Sequence, residues 1–111
     1  MRAIYNLNPT QSQQQLPLSR NAKIPVAVSV TTTASVALAA NANRAGFSFY
    51  NAGPATVFMR EGSTVSSLLY EQPVPAGYHY DSEPSAFRYT GAVSLITAAG
   101  TASVIMSEAT V

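Results

Sequence analysis

Residues 26–39 read VAVSVTTTASVALA. Val26, Val28, Val30, Thr32, Ala34, Val36 and Leu38 fall on one parity, and Ala27, Ser29, Thr31, Thr33, Ser35, Ala37 and Ala39 on the other. A period of two held that long, with β-branched residues throughout, specifies extended chain, because alternate side chains of a strand point to opposite faces. The Thr31–Thr33 run is where this stretch is able to bend into two strands.

Downstream the same period recurs between turn signals. AANANRAG at 39–46 is a polar turn, and GFSFYN at 46–51 sets Phe47 and Phe49 on one face. Asn51-Ala52-Gly53-Pro54 has turn chemistry, since Asn and Gly tolerate positive φ and Pro fixes φ where the next strand begins. ATVFMRE at 55–61 then reads as the returning strand of a hairpin over 46–61, broken by Gly62 and Ser63. Residues 63–75 admit two readings: a short strand, or a loop pinned by Val65, Leu68, Leu69 and Tyr70. Pro73 to Gly77 is a turn, Tyr78 to Asp81 a short strand, and SEPSAFRYTG a loop. AVSLITA and TASVIMSE, joined by Ala99-Gly100, read as a second hairpin. No window keeps a 3.6-residue period beyond two turns. Six to eight short strands with short connections predict an all-β antiparallel sandwich, jelly-roll-like, over residues 26–111.

Residues 1–25 predict an extended arm. The run NPTQSQQQLPLSRNAKIP holds three prolines and a Gln tract and has no sustained period. Ile4, Tyr5, Leu7, Leu16 and Leu18 are nonetheless apolar anchors that a solvated tail does not need, and Arg20 adds a charge beside them. The expectation is a docking arm that orders by lying on a neighbour.

Composition narrows the function classes. Asp, Glu, Lys and Arg make up 10% of the 111 residues, against about 25% in an average soluble domain. Thirteen Ser and ten Thr keep the surface polar instead, and hydroxyls are cheaper than ions to desolvate against a partner. The net charge of +1 argues for neither nucleic acid nor an anionic membrane as a partner. Its distribution is uneven. Arg2, Arg20, Lys23 and Arg44 give residues 1–44 a charge of +4, while Arg60 and Arg88 against Glu61, Glu71, Asp81, Glu83 and Glu108 give residues 45–111 a charge of −3. That asymmetry suits head-to-tail contacts, although with so few charges chance produces it as readily. The chain has no Cys, so disulfides and thiolate metal sites are out. No stretch approaches the roughly 20 apolar residues of a membrane-spanning helix, and MRAIYNLNPTQSQQQ has no apolar signal core. The expectation is a soluble protein made in a cytoplasm.

Taken together, NANRAGFSFYNAGPATVFMREG, PVPAGYHYDSE and YTGAVSLITAAGTASVIMSEA resemble a recurrent small β-sandwich module of tailed bacteriophage virions. The shared pattern runs from N-x-x-R at Asn41–Arg44 through N-x-G at Asn51–Gly53 and P-x-G at Pro75–Gly77 to a glycine-initiated hairpin, Gly91 to Glu108, that ends in an acid. The likeness covers about residues 39–109, and the arm has no counterpart in it. It implies a capsid decoration or cement protein, a head-fibre protein or a tail-attached protein, and no enzyme. It also implies that Arg44 closes a loop, a role for which a guanidinium suits because it caps several carbonyls at once.

The residues themselves point away from chemistry. His79, the only His, and Asp81, the only Asp, share a strand face, and Ser82 and Ser85 are near in sequence. A hydrolase also needs a nucleophile elbow and an oxyanion hole, and G-x-S-x-G is absent. One His and five scattered acids outline no metal site and no cofactor site. Tyr70, Tyr78, Tyr80 and Tyr89 cluster within twenty residues. Tyr80 reads as core, and Tyr70, Tyr78 and Tyr89 as candidate interface residues, since Tyr buries area at low entropy cost. Sugar stacking is the rival use. Arg44, Gly53 and Gly77 are the structural turn residues.

The expected function is thus structural: decoration or cementing of a phage capsid exterior, with the major capsid protein and other copies of this chain as partners. The trimer is the favoured oligomer, on the resemblance, and the dimer its alternative. The rival expectation is a receptor- or glycan-binding module of a head fibre or tail. A cement protein calls for a flat, weakly charged face plus a docked arm; a glycan binder calls for exposed aromatics flanked by Asn, Asp and Gln in a groove.

Overall fold

A computed structural model describes residues 19–82 and 88–111. The arm anchors Ile4, Tyr5, Leu7, Leu16 and Leu18, and also Ser85, lie outside the described residues. Eight strands follow in order: β1 (Val26–Val30), β2 (Ser35–Leu38), β3 (Arg44–Pro54), β4 (Val57–Glu61), β5 (Gln72–Val74), β6 (His79–Asp81), β7 (Val93–Thr97) and β8 (Ala102–Thr110). They form two antiparallel four-stranded sheets, β1-β8-β3-β6 and β2-β7-β4-β5. We term these sheet A and sheet B.

The pairing follows one rule. β1 pairs with β8, β2 with β7, β3 with β6 and β4 with β5. The chain is a long antiparallel ribbon rolled over on itself, which is the jelly-roll form of the sandwich. The Thr31–Thr33 bend carries the chain from sheet A to sheet B. There the Thr33 amide donates to Thr31 Oγ1 at 3.2 Å and the Thr97 amide to the Thr31 carbonyl at 2.9 Å.

Neither expected hairpin exists. β3 lies in sheet A and β4 in sheet B, and β7 and β8 are split in the same way. Both connections are arches across the core. The reason is that a period of two and a turn signal are local, and are identical whether the returning strand lies beside its predecessor or across from it. Phe47 and Phe49 of β3 and Val57 and Met59 of β4 face the same core from opposite sheets. Asn51-Ala52-Gly53-Pro54 is likewise not a free turn: these are the last residues of β3, where its register with β8 shifts between Asn51 and Gly53. Residues 63–71 form a loop, not a strand, pinned by buried Val65.

The core consists of Val30, Phe47, Phe49, Val57, Met59, Val74, Val93, Leu95, Ala102, Val104 and Met106. Each fully buried side chain of this kind contributes about 1.5–3 kcal/mol. Tyr80 leans on both phenylalanines, with ring centroids 5.7 Å from Phe47 and 5.9 Å from Phe49. β7 is buried over its whole length, because the loop after β4 folds over its outer side and the Gly62 carbonyl accepts the Ser94 hydroxyl.

Candidate interaction surface

The sequence motifs fold into two polar cages. In the first, Asn41 to Arg44 is a tight turn: the Arg44 amide donates to the Asn41 carbonyl at 3.0 Å and the Asn43 amide to Asn41 Oδ1 at 3.0 Å. Arg44, the first residue of β3, is fully buried. Its Nε donates to Glu108 Oε2 at 2.7 Å, Nη1 to the carbonyls of Gly91 (2.6 Å) and Tyr89 (3.3 Å), and Nη2 to that of Ala39 (2.6 Å). Asn41 Nδ2 donates to the other carboxylate oxygen, Glu108 Oε1, at 3.3 Å. The planar fork of Arg thus ties the starts of β3 and β7 to the end of β8, as only a guanidinium with five fixed donors can.

In the second cage Asn51, also fully buried, donates through Nδ2 to the carbonyls of Ala55 and Val74, both at 2.8 Å, and accepts the Gly53 amide at 2.7 Å. Its backbone bonds both Gly77 and Tyr78. Gly53 has φ 87° and Gly77 φ 85°, conformations that cost most residues strain. A Cβ on Gly53 would stand 2.9 Å from Ala76 Cβ. Asn41, Arg44, Glu108, Asn51 and Gly53 are therefore committed to holding loops together.

What remains for a partner is surface. On the outer face of sheet A, cross-strand register aligns Ala27 with Ile105, Ile105 with Tyr50, and Tyr50 with His79. This row spans all four strands without an Asp, Glu, Lys or Arg. All four residues are exposed, and Tyr50 retains 45% of its surface in solvent. Ser29, Ser48, Ser103 and Ser107 flank the row on the same face. Lys23 reaches onto this face from the arm, its Nζ donating to Ser48 Oγ at 3.1 Å. The row itself offers a methyl, an aliphatic chain, a phenol and an imidazole, cheap to desolvate, with hydroxyls beside it and the Lys23 and Asp81 charges in the neighbouring row around Ser48.

The three Tyr residues named above do not form one patch. Tyr70 packs on Phe58, ring centroids 4.7 Å apart, over the outer face of sheet B. Tyr78 is exposed just ahead of β6. Tyr89 packs against the core; its hydroxyl donates to the Ala92 carbonyl at 2.7 Å and its own carbonyl serves Arg44. Tyr50 is a surface residue that tyrosine density does not mark; its parity, opposite to Phe47 and Phe49, is the signal in the sequence. Arg20 donates through Nη1 to the Asn21 carbonyl at 3.3 Å, and Asn21 in turn bonds Thr110 through backbone (2.8 Å) and side chain (3.1 Å). Asn21 and Lys23 of the expected arm thus bond the domain itself.

A cleft of about 370 Å³ opens among Ala45, Gly46, Glu61, Tyr80, Ser82, Arg88 and Tyr89. Burial, reinforced by the Glu71 carboxylate and opposed by Arg44, raises the Glu61 pKa above the ordinary carboxylate range. Burial and then Glu61, Glu71 and Asp81 raise that of the Tyr80 phenol. The Ser82 hydroxyl accepts the Phe47 amide at 2.8 Å. His79 and Asp81 stand on the open outer face, opposite Tyr50 and Ser48. Among the described residues no three His, Cys, Asp or Glu side chains converge as metal ligands, and no helix is long and apolar enough to cross a membrane. Compared with known proteins, the chain matches no family model, no curated protein and no solved structure.

Proposed function

We propose that this protein is a non-enzymatic virion protein that decorates or cements the outside of a phage capsid, made in the host cytoplasm and seated at the particle surface. Its partners are the major capsid protein and further copies of itself, most favourably three, with a pair as the alternative arrangement; nucleic acid and membrane play no part. The observation that carries this reading is the ion-free row Ala27–Ile105–Tyr50–His79 across sheet A. A row of that kind binds by area, and the nearby charges of Lys23 and Asp81 stand beside it, around Ser48, and not within it. Many copies on one shell add their modest contacts together. The topology is compatible with this role, since two-sheet jelly rolls recur among capsid proteins and lectins, but fold alone never assigns a function.

The host-attachment reading has less support. Tyr50 and Tyr70 stand on opposite faces of the sandwich and Tyr78 on a connecting segment, so no groove gathers them around a sugar. The deciding experiment is electron microscopy of density-banded phage particles carrying this chain with an added epitope. Label spread over the head, lost when Tyr50 and Ile105 are both replaced by Asp, is expected. Label confined to the tail tip, or absent from banded particles, refutes the proposal.

A further inference from the structure

The sandwich is not closed at one corner. Val26 pairs with buried Met106 and so sits on the core-facing parity of β1, as Leu38, paired with buried Val93, does on β2. Val26 is nevertheless 56% exposed, and Ile24, two residues earlier, 76%. Between these edge strands runs a groove of about 460 Å³ lined by Asn21, Ala22, Ile24, Val26, Leu38, Glu108 and Thr110. Side chains that face the core yet remain wet are unusual, because their burial is what pairs two sheets at all. The groove is also an edge: β1 and β2 are the terminal strands of their sheets, with backbone groups open to an added chain.

We infer that this groove is filled by the Leu16-Pro17-Leu18 segment of a second copy, so that copies exchange arms. The length and placement of the chain outside the described residues favour this occupant. Eighteen residues precede Ser19, and among them Leu16 and Leu18 flank a proline that biases its predecessor toward extended chain. An extended Leu-x-Leu presents both side chains to one side. The same copy's arm is badly placed to serve. Residues 21–26 run antiparallel to β8, with Asn21 fixed to Thr110, so the chain upstream of Asn21 leads past the end of β8. Returning Leu18 and Leu16 along the groove requires a reversal at Ser19-Arg20, and two-residue reversals between extended strands call for Asn, Asp or Gly with positive φ. A second copy needs no reversal, and exchange fills two or three grooves at once, in a pair or around a ring. The inference does not depend on what surface the protein decorates.

The chain has no Cys, so single cysteines report contacts cleanly. Full-length Leu16→Cys chains are mixed with full-length Val26→Cys chains and oxidised gently. A disulfide-linked heterodimer is expected, well above the yield with Ser29→Cys, an exposed position on the outer face of sheet A, as control partner. Equal yields overturn the inference. So does a link that forms only within a doubly substituted Leu16→Cys/Val26→Cys chain, which would place a chain's own arm in its groove. In sedimentation the parent self-associates, and Ile24→Asp, a change at an exposed position outside every strand, weakens association about tenfold, as loss of one apolar anchor does. A parent that sediments as a monomer at all concentrations also overturns it.

Discussion

Replacing Arg44 by Met keeps most of its length and apolar stem but strips four hydrogen bonds from the buried cage. The loss follows from the geometry. Removing one partner of a buried ion pair costs about 3–5 kcal/mol. Glu108 keeps its bond to Asn41 and a side chain 25% exposed to water, so the lower end, about 3 kcal/mol, applies. The Ala39 and Gly91 carbonyls lose bonds of 2.6 Å, at about 1 kcal/mol each. The expected total is about 5 kcal/mol, against a stability of about 5–15 kcal/mol for a domain this size. Arg44→Lys restores the charge but not the fork, so it should lose only about 2–3 kcal/mol. Adding Glu108→Gln to Arg44→Met should restore part of the loss, because it removes the stranded carboxylate. Equilibrium urea unfolding, with midpoint and slope fitted together, measures all three. If Arg44→Met costs less than about 1 kcal/mol, or no more than Arg44→Lys, the cage does not hold the sandwich together and the reasoning fails.

Other variants probe other parts of the molecule. Gly53→Ala should cost more than Gly77→Ala, roughly 2–3 against about 1 kcal/mol, because both need positive φ but only Gly53 has Ala76 against its new Cβ; equal losses in denaturation would refute the packing argument. Because folding raises the Glu61 pKa, the folded state holds that proton more tightly, and the associated stability is present at low pH and lost as pH rises through the folded value. Glu61→Gln should therefore raise the melting temperature at pH 7 and leave it unchanged at pH 3; a gain of equal size at both pH values would argue against it. Tyr50→Asp with Ile105→Asp sets two like charges directly opposite on paired strands and should cost about 1–3 kcal/mol in urea unfolding, leaving the domain folded while abolishing particle binding; a folded variant that still binds particles would refute the role of the row.

Strand positions were legible in the sequence because a period of two is a local signal: Val26 to Leu38 announced β1, β2 and the bend between them. Partners were not. The two expected hairpins became arches, since nothing in GFSFYNAGPATVFMRE records whether Met59 will pair beside Phe49 or face it across the core. Loop cover was equally hidden. Ser94 looks like an outward polar position and is fully buried, because the loop after β4 lies on it. The Arg44 cage could be sensed from the type of residue, but its carboxylate is 64 positions away, and spacing carries no information over that distance. Tyr50 is hidden in the sequence for a simpler reason: it stands apart from the dense Tyr70–Tyr89 stretch, and its exposure depends on the parity of one strand.

The pairing rule also sets the order in which this chain can fold. A ribbon folded at the β4–β5 connection closes its shortest loop first, and each further pair, β3 with β6, then β2 with β7, adds only a short span to a loop already closed. The last pair is β1 with β8, and β8 is an inner strand of sheet A, between β1 and β3. While β8 is still in the ribosome, sheet A has no centre, Arg44 has no carboxylate, and Phe47 and Phe49 have no strand beside them on that side. The domain therefore cannot fold progressively as it emerges. It waits for its final strand, with sheet edges and core residues open to other chains in the meantime. With 10% charged residues and a net charge of +1, the open chain has little like-charge repulsion to keep other copies off those edges, so the interval before β8 emerges is when this sequence is most exposed to mispairing.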